Sequence, residues 1–167
     1  MTIHQFENFI DHTWQSAYPM ITDNAQDDIY LCSSLNQLAT GMTQSAFSGA
    51  DALPTNWQPG YEVYLFTDSA TASEWPYTFE QCNVQSERQI LDGPRTGSIA
   101  GASTFTYSWQ SMQGPVVEVY AVYLNVVLNI NVSCYEGHDC TSAFAPTAES
   151  FSDVVQNFVA AVDAAMQ

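Results

Sequence analysis

The sequence contains no lysine, and its basic residues are two arginines, Arg88 and Arg95, against 18 Asp and Glu, for a formal net charge of −16. That shortage excludes two classes of partner. Nucleic acids are bound by replacing condensed counterions with Lys and Arg, and the chain has no basic patch to do it. An anionic membrane surface is excluded for the same reason. Charge of either sign is scarce: 12% of residues are Asp, Glu, Lys or Arg, about half the ~25% usual for soluble domains. The surface must then be built from Ser, Thr, Gln and Asn, as is common in secreted proteins. Halophilic surfaces carry denser carboxylate. Acidic surroundings are compatible with secretion and fit as well, because protonation near the sequence pI of about 4.1 relieves the self-repulsion expected at neutrality.

Long apolar runs are also missing. No stretch of about 18 or more apolar residues exists, so no transmembrane helix is expected. Positions 1–20 carry neither a basic n-region nor an apolar h-region. An exported protein beginning this way implies an export segment trimmed from the sequence. Catalytic signatures are absent too: there is no G-x-S-x-G elbow and no EF-hand spacing. Small molecules, cationic ligands, metal ions, neutral sugars or a basic protein partner stay open, and no cofactor is implied.

What the sequence does have is a core. Apolar residues make up 46% of the 167 positions, enough for one domain over 1–167 with a substantial interior. Residues 2–17 read as an amphipathic helix with Ile3, Phe6, Ile10, Trp14 and Ala17 on one face. Thr2 and Gln5 form a capping-box pair, and Pro19 marks its stop. The segment 29–48 suits a helix turn as well as a short strand. YEVYLFT (61–67) reads as a strand. Asp68 or Ser69 then caps a short helix through Ala70, Ala72 and Trp75 that Pro76 ends or kinks. Strands follow at about 83–91 and 102–112, separated by the turn DGPRTG (92–97). The most apolar region, Val116–Ser133, is too long for one strand and reads as two meeting near Leu124–Asn125. Its Val and Tyr density disfavours a helix. Thr147–Met166 is a closing amphipathic helix, with Phe151, Val154, Val155, Phe158, Val159, Val162 and Met166 on its apolar face. Successive strands imply an antiparallel meander. The expected class is α+β, with the N-terminal and C-terminal helices packed on one face of the sheet.

Four cysteines, Cys32, Cys82, Cys134 and Cys140, fit an extracytoplasmic, disulfide-bonded chain better than a metal site. Three pairings are possible. Cys134 and Cys140 enclose the short loop YEGHD, which bridges readily if its ends approach; that leaves Cys32 with Cys82. The competing reading is a metal site of Cys134, His138 and Cys140 with Asp139 or Glu136, but it lacks a C-x₂-C pair and a fourth ligand close by.

The candidates for chemistry are few. His4 and His12 lie off the apolar stripe of the first helix and read as exposed. His138, with Asp139, Ser133 and Ser142 nearby, could be drawn as a nucleophile–base–acid set for a small secreted hydrolase, yet triads are spatial and these residues are close only in sequence. Asp23, Asp27 and Asp28 read as a solvated connection rather than a calcium site. Glu62, Asp68, Glu74 and Glu80 are carboxylates with nothing to pair them at a glycosidase separation. No residue is assigned as catalytic and none as a metal ligand. The aromatics suggest more: Tyr107 and Trp109 share one strand face, whereas Tyr120 and Tyr123 point to opposite faces of theirs. Such residues line apolar clefts with polar rims, and they are also ordinary core. These four are the candidate ligand-binding residues. Asn131-Val132-Ser133 matches a glycosylation sequon.

The order of features resembles a family. YEVYLF, an alanine-containing short helix with Trp75 and then Cys82, a turn-rich meander, LNVVLNINVSC (124–134) and an Ala/Val-rich closing helix are similar to the extracellular sensor domain of actinobacterial PknH-type Ser/Thr kinases and related lipoproteins. The resemblance spans roughly Cys32 to Met166. It implies an α+β sheet domain with two disulfides, a ligand cleft and no catalytic residues. It carries Cys32–Cys82 over, with the second bridge rebuilt as Cys134–Cys140. The resulting expectation is a non-enzymatic, sensor-like ligand-binding domain of the cell envelope, its cleft between the sheet and the first helix. The alternatives are a hydrolase or metal-dependent enzyme using the His138 loop, or a structural subunit of a surface assembly.

Overall fold

A computed structural model describes residues 1–13, 37–43, 57–85, 89–111, 114–134 and 146–167. They form one six-stranded antiparallel sheet and three helices, as expected for an α+β chain. In chain order the elements are α1 (Ile3–Thr13), β1 (Gln37–Thr43), β2 (Trp57–Phe66), α2 (Ser69–Gln85), β3 (Gln89–Ile99), β4 (Ala102–Ser111), β5 (Gly114–Tyr123), β6 (Val126–Cys134) and α3 (Ser152–Ala165), the last preceded by a 3₁₀ turn at Ala148–Phe151. The sheet order is β1-β2-β6-β5-β4-β3. Strands β3 to β6 are the expected meander. Strand β2 adds to its far side, and α2 carries the chain across to the opposite edge.

The helices divide between the two faces. Helices α1 and α3 cover one face, where Phe6, Phe9, Ile10, Phe151, Val154, Val155, Phe158 and Val162 meet Tyr61, Val63, Leu65, Val117, Val119, Ala121, Leu128, Ile130 and Val132 in the main core. Helix α2 covers part of the other face, where Ala72 and Trp75 pack on Tyr64, Phe66, Tyr107, Tyr120, Val122 and Val127. Side chains alternate across a strand, so a strand buried on both faces reads as a continuous apolar run. That is why Val116–Ser133 lacks a polar side. The sheet takes this run as β5 and β6, joined at Leu124-Asn125.

The turn residues explain how the hairpins close. Ala100 and Gly101 both have positive φ, 51° and 87°, the geometry of the type I′ hairpin turn. Leu124 has φ 56°, an unfavourable backbone for a branched side chain. Asn125 holds that turn in place: its Nδ2 donates to the carbonyls of Phe66 at 2.8 Å and Met1 at 2.9 Å, and its own carbonyl accepts from the Phe66 N–H at 2.9 Å. The side chain thereby ties the β5–β6 turn to the end of β2 and the start of the chain.

Three expectations need correction. Pro76 does not end the short helix: α2 runs through it to Gln85, with Pro76 and Trp75 both buried against the sheet side of the helix. Thus no strand starts at Asn83. The stretch DGPRTG is not a turn between strands but lies inside β3, with register shifts around Asp92 and a cis Gly93–Pro94 bond. Proline and irregular pairing are what an edge strand tolerates and a central one does not. Third, Ile3 is 41% exposed while Phe9 is buried, so the packed stripe of α1 is Phe6, Phe9 and Ile10; Trp14 and Ala17 lie outside the described residues.

Both expected helix caps form. The Thr2 N–H donates to Gln5 Oε1 at 2.8 Å, and the Gln5 N–H donates to Thr2 Oγ1 at 3.3 Å, so both halves of the capping box are made. Asp68 caps α2 through the Thr71 N–H at 2.8 Å. That bond, with lesser ones from the Thr71 hydroxyl, the Ala70 N–H and Thr67, holds the Asp68 carboxyl below its ordinary value.

Candidate functional site

Beyond the cover of α2, the second face of the sheet turns from aromatic to polar. Cross-strand registry builds it row by row. Glu62 on β2 lies opposite Asn129 on β6, which lies opposite Tyr120 on β5; one row along, Gly60 lies opposite Asn131, then Glu118, then Tyr107. Paired residues share a face, so two acids, two asparagines and the aromatics of β4 and β5 form one surface. Glu118 and Asn129 are almost fully buried, at 3% and 4% exposure, which is unusual for a carboxylate and an amide.

Hydrogen bonds account for most of these groups. The Tyr64 hydroxyl donates to Glu62 Oε2, two residues along the same strand face. Asn131 Nδ2 donates to Glu118 Oε1 across the β5–β6 pair. Asn129 differs: its Oδ1 is sealed from solvent and accepts no hydrogen bond. A buried carbonyl in that condition costs about 1–3 kcal/mol, and such groups are rare enough to need a reason. Gly60, opposite Asn131, puts no side chain on this face. Among the described residues, a Cβ added there would meet only the Asn131 carbonyl, at 3.8 Å. By strand spacing and rise, Glu62 and Glu118 stand about 12 Å apart at their Cα atoms, two strands and two residues removed. They flank the two asparagines rather than pairing with each other.

An aromatic wall borders this patch on the α2 side. Trp75 packs on Tyr64 at 4.6 Å between ring centroids and edge-on to Tyr120 at 5.6 Å, and Tyr107 meets Tyr120 edge-on at 6.0 Å. Of the four aromatics singled out from sequence, Tyr107, Trp109 and Tyr120 are therefore on one face. Tyr123 is not. It faces α3, where its hydroxyl donates to Asp163 at 2.9 Å, and that bond raises the phenol above its ordinary value. The space between the sheet and α1, where the cleft was expected, is filled by the main apolar core; the polar surface is on the opposite side.

The remaining sequence candidates scatter. His4 is exposed on α1 beside Glu7, at 3.3 Å. Asp68 is a helix cap and Glu74 is exposed on α2. Asn131 of the sequon is half-buried and engaged with Glu118, which removes it from the exposed setting a glycan needs. Cys134 ends β6 and is disulfide-bonded; the pairing itself lies outside the described side chains. Asp23, Asp27, Asp28, Cys32 and the whole His138 loop, with Glu136, Asp139, Cys140 and Ser142, lie outside the described residues, as do the side chains of His12, Glu80 and Cys82. Among the described residues no cluster of three His, Cys, Asp or Glu forms, and no helix is long and apolar enough to cross a membrane.

Sequence reasoning missed Glu118, Asn129 and Asn131 as site residues, although a signal existed. Asn129 and Asn131 are two apart in a run otherwise apolar, so they share a strand face, and Glu118 is the lone charge in VVEVYAVY.

No family model matches the chain, and no curated protein does. Among solved structures, the extracellular domain of PknH from Mycobacterium tuberculosis is similar at a TM-score of 0.41 and 13% identity, over 89% of this chain and 78% of that one. This is a distant resemblance, and at that score it transfers no function from one chain to the other.

Proposed function

We propose that the chain is a non-enzymatic ligand-binding domain of the cell envelope, and that its ligand sits on the polar face of the sheet formed by Glu62, Asn129, Asn131 and Glu118. The observation that carries this reading is Asn129 Oδ1, buried without a hydrogen bond in the middle of that face. A fold retains an unsatisfied buried carbonyl when something other than stability selects it. The buried aromatic cluster of Trp75, Tyr107 and Tyr120 packs beside these polar groups and holds their strands rigidly.

The location outside the cytoplasm rests on composition and on Cys134, whose disulfide suits an oxidising compartment. The pairing proposed is Cys134–Cys140 and Cys32–Cys82.

The test is a small-molecule screen read by thermal shift on the wild type and on Asn129→Leu. Compounds that raise the wild-type Tm and leave the variant unmoved support the reading. If compounds stabilise both proteins equally, the site is elsewhere.

A further inference from the structure

Natural sheets guard their edges, because the unpaired N–H and C=O groups of an edge strand are a template for another chain. Strand β3 is such an edge: it ends the strand order and pairs with β4 alone. Its two halves differ. The first is guarded by register shifts on either side of Asp92, by Pro94 and by the Asp92–Arg95 ion pair. From 95 to 99 the guards stop. These residues pair one for one with 102–106 of β4, without a shift. Residues 95–98 are exposed, and among the described residues no backbone group bonds to their outer side.

We propose that this half of β3 docks an extended, basic segment of another protein, which adds to the sheet as a further antiparallel strand. The edge is separate from the polar face around Asn129 and the proposal does not depend on that site. In this mode of binding, main-chain hydrogen bonds supply affinity and alternate side chains supply selectivity.

Registry defines what the segment meets. Paired residues share a face, so Arg95, Gly97 and Ile99 lie on the α3 side of the sheet with the buried Thr106, Thr104 and Ala102. Ile99 is half-buried against the main core, so an apolar side chain placed opposite it extends that core outward. Thr96 and Ser98 lie on the other side, and their short side chains leave the backbone open to approach.

Charge selects the segment. Glu149 is exposed on the 3₁₀ turn before α3 and lies near Arg95: the Thr147 hydroxyl chiefly, then its own N–H and the Arg95 charge, hold its carboxyl below the ordinary value. With Asp92, two carboxylates flank one guanidinium, and the whole chain carries a charge of −16. That field attracts a basic segment and repels an acidic one. It opposes a second copy of this chain for the same reason.

Three peptides separate strand addition from charge attraction, each titrated at low salt into the isotopically labelled full chain and followed by NMR. The first is acetyl-Lys-Thr-Val-Thr-Val-Thr-Lys-amide; the second replaces both Lys by Glu; the third is the first with its three central residues N-methylated. The Lys peptide is expected to shift the amides of 95–99 and slow the exchange of those whose N–H points outward. The Glu peptide is expected to bind at least about tenfold more weakly, and the N-methylated one not at all, since it cannot pair through its main chain. The double variant Thr96→Lys, Ser98→Lys places charge on the edge and is expected to weaken the Lys peptide at least about fivefold. Both positions are exposed, so its Tm should stay within about 4 °C of the wild type. Equal binding of the N-methylated peptide, or undiminished binding to the double variant, overturns strand addition at this edge. Equal binding of the Glu peptide overturns the basic partner. Exchange at 95–99 that slows as the protein alone is concentrated assigns the edge to a second copy and overturns the proposal, as does the absence of any shift there with all three peptides.

Discussion

Replacing Asn129 with leucine keeps the number and branching of the side-chain heavy atoms while removing both polar ones, so the change probes polarity at nearly constant shape. In the native fold the Oδ1 atom is sealed and accepts no hydrogen bond. Returning it to water on unfolding recovers about 1–3 kcal/mol, and the leucine adds apolar burial in its place. The variant is therefore expected to be more stable without ligand by about 1–3 kcal/mol. For a chain of this size each kcal/mol moves Tm by roughly 2–4 °C, so the rise is about 2–12 °C. Calorimetry and urea unfolding followed by tryptophan fluorescence measure it independently. A loss of more than about 1 kcal/mol would refute the reasoning, since it would mean the amide is satisfied in solution and has a structural role. Stability gained together with ligand binding lost is the trade expected of a functional residue.

Phe158 is fully buried on α3 and meets Phe9 of α1 edge-on at 6.2 Å; Phe158→Ala should cost about 3–5 kcal/mol in urea unfolding and loosen α1, seen as faster amide exchange over residues 5–10. The Asp68 carboxyl is depressed by its cap to Thr71, so its contribution is present above the unfolded value near pH 4 and is lost as pH falls through the lower folded value; Asp68→Asn should flatten stability against pH only in that acid range. Between neutrality and about pH 5 the trend should be opposite, with stability rising as the charge of −16 is relieved, and added salt at pH 7 should reproduce that gain. Non-reducing peptide mapping after pepsin cleavage should recover Cys134 linked to Cys140 and Cys32 linked to Cys82; a Cys134–Cys82 peptide would contradict the proposed pairing.

Much of the fold was legible because local chemistry and tertiary packing agree there. The capping box at Thr2 and Gln5, the cap at Asp68, the break of the long apolar run at Leu124–Asn125 and the apolar stripe of α3 are signals whose physical cause lies within a few residues. The misreadings have the opposite origin. DGPRTG carries every local mark of a turn, yet β4 pairs with it on both sides of its irregularity and makes it an edge strand. Pro76 is a helix breaker by propensity, but Trp75 beside it is buried against Tyr64, Phe66 and Tyr120, and that packing carries the helix past it. The site was legible only in part. Periodicity of two placed Tyr107 with Trp109 and parted Tyr120 from Tyr123, whereas bringing Glu62, Asn129 and Glu118 onto one face depends on β2 pairing with β6, a contact between segments more than 60 residues apart in sequence. No spacing rule reaches that far.

The central claim is that a ligand occupies the face holding Asn129, and an NMR shift map of the isotopically labelled protein against a mixed fragment library tests it most directly. The account predicts shifts clustered at Glu62, Tyr64, Tyr107, Glu118, Tyr120, Asn129 and Asn131. Shifts centred instead on His138 and its neighbours, with that face unmoved, would contradict it.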